Sequence, residues 1–141
     1  MNAQQYIPEA VLAARQAARE ERARLRKVFH HGYAVGDILN GSLGWEETHQ
    51  EFWQVVSVNP KTNAIVVRKI AERHAGGAGF MCEQVMPVKD DFIGEEYRAI
   101  VQMGHNNGDK GYVNVPVNPG SKFKVSVDEW DGKPKYSSWY A

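Results

Sequence analysis

A single cysteine, Cys82, stands in a chain of 141 residues, so no internal disulfide can hold the fold, and a reducing cytoplasm is the expected compartment. Apolar runs are only a few residues long, far below the roughly 18 that span a bilayer, and no apolar segment follows the first basic residue. Export and membrane insertion are therefore not expected. Net charge is also missing, because 17 basic residues meet 17 acidic ones, which argues against a general nucleic-acid coat built on phosphate neutralisation. Hydrophobic residues make up 43% and charged residues 24%, the proportions of one folded domain rather than of a disordered chain.

The neutral total hides an asymmetry. Residues 9–28 hold six basic side chains, Arg15, Arg19, Arg22, Arg24, Arg26 and Lys27, against Glu9, Glu20 and Glu21, while the remainder carries eleven basic and fourteen acidic residues. Pro8 and Glu9 suit the first turn of a helix, and no Gly or Pro interrupts the segment from Ala10 to Phe29. The sequence predicts a basic helix within residues 1–32, with Gly32 as its stop. Its apolar positions, Val11, Ala14, Ala18, Leu25, Val28 and Phe29, form a narrow stripe crossed by Arg22, which predicts weak docking or pairing with another chain. Arg19, Arg22 and Arg26 are its candidate nucleic-acid contacts.

From Tyr33 onward, short β-type runs alternate with Gly, Pro, Asn and Asp. Strands are predicted at 36–40, 51–58, 64–71, 80–88, 96–103, 111–117, 122–127 and 135–140, making residues 33–141 a mainly β domain, an SH3-like barrel or a small sandwich. The clearest hairpin joins Phe52–Val58 to Ala64–Ile70 through Asn59-Pro60-Lys61-Thr62-Asn63. Its second arm is apolar on both faces around Val66 and Val67, as a central strand would be. The run Ala75-Gly76-Gly77-Ala78-Gly79 lacks the Lys-Ser/Thr of a phosphate loop and predicts a hairpin loop instead.

The densest group of large and hydrogen-bonding side chains is Trp45, Thr48, His49, Phe52, Trp53 and Gln54, the candidate binding site. Phe52 and Trp53 must point to opposite faces of one strand, so one is available to a partner unless the sheet is covered on both sides. Chemistry of other kinds is less well supported. His30, His31, His49, His74 and His105 follow no metal-ligand spacing, so no metal or cofactor is expected. Cys82 with His74 or His49 and Glu83 or Asp37 would make a nucleophilic set, but a buried strand cysteine is the ordinary reading. Asp37, Glu46, Glu47 and Glu51 could supply a carboxylate pair, although solvated loop acids explain them more simply.

Three runs, Gly36-Asp37-Ile38, Gly44-Trp45-Glu46-Glu47-Thr48-His49 and Phe52-Trp53-Gln54-Val55-Val56, carry a resemblance. The chain resembles a family of small proteins from phages, prophages and mobile elements with a Gly-Asp-Ile, Trp-Gly-Tyr-Asp-Gln-Thr-Asn and Phe-Tyr-Gln-Val-Val pattern. Looser echoes at Pro87-Val88, Phe92-Ile93-Gly94-Glu95 and Trp130 to Ala141 extend it over most of residues 33–141. Leu43 stands where the pattern has Trp, and His49 where it has Asn. The resemblance implies a phage setting in a host cytoplasm and no assigned chemistry. The resulting expectation is a non-enzymatic accessory protein that binds a host or phage macromolecule, first a protein. The alternatives are a small enzyme or nucleotide-binding protein using Trp45 to Gln54, or nucleic-acid binding through the helix, which could also pair copies of the chain.

Overall fold

A computed structural model describes residues 7–44, 48–79, 82–105 and 108–138. The chain divides after His30 into two compact units, one containing the helix and one containing every strand of the described residues.

The helix α1 spans Glu9–Val28. Pro8 lies just outside it with extended backbone, and its carbonyl accepts bonds from Val11 N (3.0 Å) and Leu12 N (3.1 Å). Glu9 in the first turn and Arg26 and Lys27 in the last complement the helix dipole. Termination comes at Phe29, whose backbone turns extended, earlier than the Gly32 expected from sequence. None of the helix residues is buried, and Val11, Leu12 and Val28 are exposed.

The second unit is one seven-stranded antiparallel sheet, so the mainly β class with one helix is correct. Its strands are β1 (Ile38–Leu43), β2 (His49–Val58), β3 (Ala64–Gly79), β4 (Cys82–Ile100), β5 (Tyr112–Pro116), β6 (Lys124–Glu129) and β7 (Lys135–Ser138), in the order β5-β6-β1-β2-β3-β4-β7. The ladder is open, with β5 and β7 as edges; beyond β4, an isolated bridge joins Gln102 to Tyr112 through bonds of 2.8 and 3.0 Å. The β2-β3 hairpin turns at Asn59, whose side chain accepts from Lys61 N at 2.9 Å.

Two sequence expectations are corrected here. Residues 80–88 and 96–103 were predicted as separate strands, but most of both belongs to the nineteen-residue β4. Pairing jumps from Ile70↔Phe92 to Glu72↔Pro87, so the intervening residues bulge out of the ladder instead of ending the strand. The Ala75 to Gly79 run is not a loop: it continues β3, with Gly76 opposite Gln84 and Gly77 opposite Glu83, and its glycines sit beside register shifts.

Side chains on one side of the central strands include Leu39, Trp53, Val55 and Val67, all buried, and register continues this layer through Val113, Val115, Val125 and Val127. On the other side Phe52, Ile70 and Val85 form a second cluster, covered by Ile38, Phe92 and Trp130. Both faces of β2 are therefore interior.

Candidate functional site

The position of each residue in the expected Trp45 to Gln54 site follows from β2. Phe52 is 2% exposed and meets Trp130 edge-on, ring centroids 6.4 Å apart and planes at 88°. Trp53, on the opposite side, is 5% exposed. The expectation that one of these rings serves a partner is corrected, because Trp130, nearly eighty residues onward, closes the face that sequence alternation left open. The Trp53 indole N–H has no hydrogen-bond partner among the described residues.

Gln54 is also interior, and both polar atoms of its amide are bonded. It donates to Asp90 Oδ1 at 2.7 Å and accepts from Asp90 N at 2.8 Å. Asp90 is the one described non-glycine residue at positive φ (68°), at the crest of the β4 bulge. Gln54 thus fastens the bulge to β2. Thr48 works through its backbone, donating to Ser138 Oγ at 2.9 Å and accepting from Ser138 N at 2.9 Å and Ser137 Oγ at 3.2 Å. Of the six, His49 alone has an exposed side chain among the described residues, and Trp45 lies outside them.

On the same side of β2 as His49 and Trp53 lies Glu51, 3% exposed. Its Oε2 is 2.7 Å from Lys69 Nζ, off the hydrogen-bonding directions, so Lys69 acts as a charge partner more than as a donor. Of the candidate nucleophilic set, His74 Nδ1 lies 2.5 Å from Glu83 Oε2, and the strand neighbour of His74 is Val85. No group of three or more His, Cys, Asp or Glu among the described residues could hold a metal ion.

A cleft the sequence did not disclose, about 730 Å³ in volume, lies over β1, β5 and β6. Asn40, Ser42, Asp109, Lys110, Asp128 and Glu129 give it its polar lining. Lys110 Nζ reaches Glu129 Oε2 at 2.6 Å and Asp37 Oδ2 at 3.2 Å, and stands 5.7 Å above the Tyr33 ring. Its bond to Glu129, assisted by Asp37, holds the ammonium above the usual lysine range despite partial burial. Tyr33 Oη donates to Gly111 O at 2.6 Å, and burial, reinforced by the Asp128 charge, pushes its phenol far above the ordinary value. Desolvation, with the nearby Asp109 charge, also raises the Asp128 carboxyl. Asp37, Lys110 and Glu129 lie far apart in sequence, and no local pattern announces their meeting. The lysine is committed to two carboxylates, so this arrangement anchors the loop before β5 more readily than it presents a reactive amine.

The remaining predicted contacts, Arg19, Arg22 and Arg26, lie on α1 together with Arg15. At 100° per residue these four positions fall within an arc of about 60° and along about 16 Å of axis. Arg24, by contrast, projects from the far side and is held by Glu21 through bonds of 3.0 and 2.6 Å. Among the described residues, Arg15, Arg19 and Arg26 make no ion pair.

No family model, no curated protein and no solved structure matches this chain. No helix of the described residues is long and apolar enough to cross a membrane.

Proposed function

We propose that this chain is a non-enzymatic binding protein whose contact element is α1. The observation that carries this reading is that a twenty-residue helix buries none of its side chains. Isolated helices of this length are marginal in water, and most helical stability in proteins comes from packing an amphipathic face. A partner seated on α1 would supply that packing. The β unit serves as the folded body of the protein, and its bridge at Gln102 and Tyr112 fits a barrel-like curl of the sheet. A phage or mobile-element setting rests on the motif resemblance; its residues Gly36, Asp37, Phe52 and Gln54 are here employed in the fold, so the resemblance speaks for architecture more than for a pocket. The nucleotide-pocket alternative loses support from the burial of Phe52, Trp53 and Gln54.

A photo-crosslinking amino acid placed at Leu12 or Val28, and separately at Ile93 or Phe123 on the β unit, tests the reading, since all four positions are exposed. In lysate, adducts should form from the helix positions. Adducts confined to Ile93 and Phe123 would overturn it.

A further inference from the structure

We infer that the partner of α1 is double-stranded nucleic acid, contacted through Arg15, Arg19 and Arg26 on the face they share with Arg22; this rests on the reading of α1 as the contact element. The argument begins with spacing. Positions i, i+4, i+7 and i+11 return to one side of a helix, so the four guanidiniums form a stripe about 16 Å long rather than a ring of charge. A duplex presents about one phosphate charge per 1.7 Å of axis, so a stripe of that length spans several phosphates on each strand. Guanidinium groups suit this task, because each offers a planar fork of donors and remains charged at any physiological pH.

Pairing within the helix separates this face from the rest. The acids of α1 are Glu9, Glu20 and Glu21, and at 100° per residue none falls on the arginine arc. Gln16 donates to Glu20 at 3.0 Å and Arg24 is bonded to Glu21, so the two later acids have partners elsewhere on the helix. Arg15, Arg19 and Arg26 are left without a carboxylate. An acidic protein could also meet these three arginines, but its carboxylates would have to match their spacing, whereas a duplex offers phosphates at every register. The β unit, with an excess of acidic residues, would be repelled by the same backbone, which confines the contact to α1.

The experiment is a fluorescence-anisotropy titration of the full chain against a labelled 20-base-pair duplex between 50 and 200 mM salt. Three phosphate contacts, from Arg15, Arg19 and Arg26, predict a slope of log K against log salt of about −2.7, a loss of about 40-fold over that range. The triple variant Arg15→Gln, Arg19→Gln, Arg26→Gln should flatten the slope to near zero and bind far more weakly at 50 mM. Replacing the same three residues by Lys should retain the slope, and Arg24→Gln, on the opposite side, should bind as the parent does. Circular dichroism of each variant checks that α1 is retained. Absence of duplex binding at 50 mM, an unchanged slope in the triple Gln variant, or equal weakening by Arg24→Gln would each overturn the inference. Should duplex binding fail while crosslinks at Leu12 and Val28 to another molecule persist, the nucleic-acid assignment falls and the helix reading stands.

Discussion

Gln54 illustrates how a residue that reads as a binding group becomes a fastening. Its amide closes a two-point bond on Asp90, whose positive φ costs energy that the surrounding structure must offset. Gln54→Ala should therefore lower stability by about 1 to 3 kcal/mol by orphaning a donor and an acceptor. Urea unfolding of Gln54→Ala, Asp90→Ala and the double variant should show strong coupling, and additive losses would disprove the fastening. Glu51 and Lys69 predict an asymmetry of a different kind. Lys69→Met strands a buried carboxylate and should cost about 3 kcal/mol, whereas Glu51→Gln leaves the long lysine free to reach water and should cost clearly less; equal losses in parallel denaturant curves would contradict this. Lys110 brings a pH signature. Its folded value lies above the usual one of about 10.4, so its contribution is complete below that pH and is lost as pH rises through the folded value. The melting-temperature gap between the parent and Lys110→Met should accordingly be flat from about pH 7 to 9 and should close only above about pH 10.5. None of these three roles was legible in sequence, because each joins residues at least eighteen positions apart, and residue type alone offered only a density of polar and aromatic groups near Trp45.

At the level of elements, the helix and most strand positions were legible because local chemistry marks them: Pro8 and Glu9 at the start of α1, Asn59-Pro60 between β2 and β3, and Asp131-Gly132 before β7. The joining of two predicted strands into β4 was not. Lys89-Asp90-Asp91 reads as a solvated break, but β4 pairs with β3 on both sides of its bulge, and Gln54 bonds the bulge itself at Asp90. The same limit hid the burial of β2, since alternation says which side each ring faces but not what covers it. Gly41 shows an element contact that sequence could not assign. A Cβ built there would overlap the carbonyl oxygen of Ser126 and lie 2.8 Å from Val127 Cγ1, so β1 and β6 approach more closely than any side chain allows. Gly41→Ala should therefore destabilise the sheet by about 1 to 3 kcal/mol, and amide exchange should quicken across β1 and β6 before the β3-β4 ribbon. Uniform quickening over all strands would show that the close approach is not local.

The molecule as a whole pairs a β unit that contains every buried residue among those described with a helix that contains none. His31, the first residue of the β unit, receives its place from that unit, its backbone N–H bonding Asn63 Oδ1 at 2.9 Å, and Tyr33 N in turn donates to His31 Nδ1 at 3.0 Å. The chain is thus locked into the sheet from His31 onward, independently of the turn that ends α1 at Phe29. A chain starting at Phe29 should fold with the melting temperature of the full protein to within about 2 °C, because no residue of α1 is buried and removing the helix removes little hydrophobic stabilisation. It should keep the near-ultraviolet signal of its packed tryptophans while losing helical ellipticity. If the shortened chain melted much lower, or lost cooperativity, α1 would be contributing to the stability of the β unit, and its exposed arginine face would have to be explained by folding before binding. If instead the melt is unchanged while crosslinking through α1 positions in the full chain succeeds, stability and recognition belong to separate parts of one short sequence.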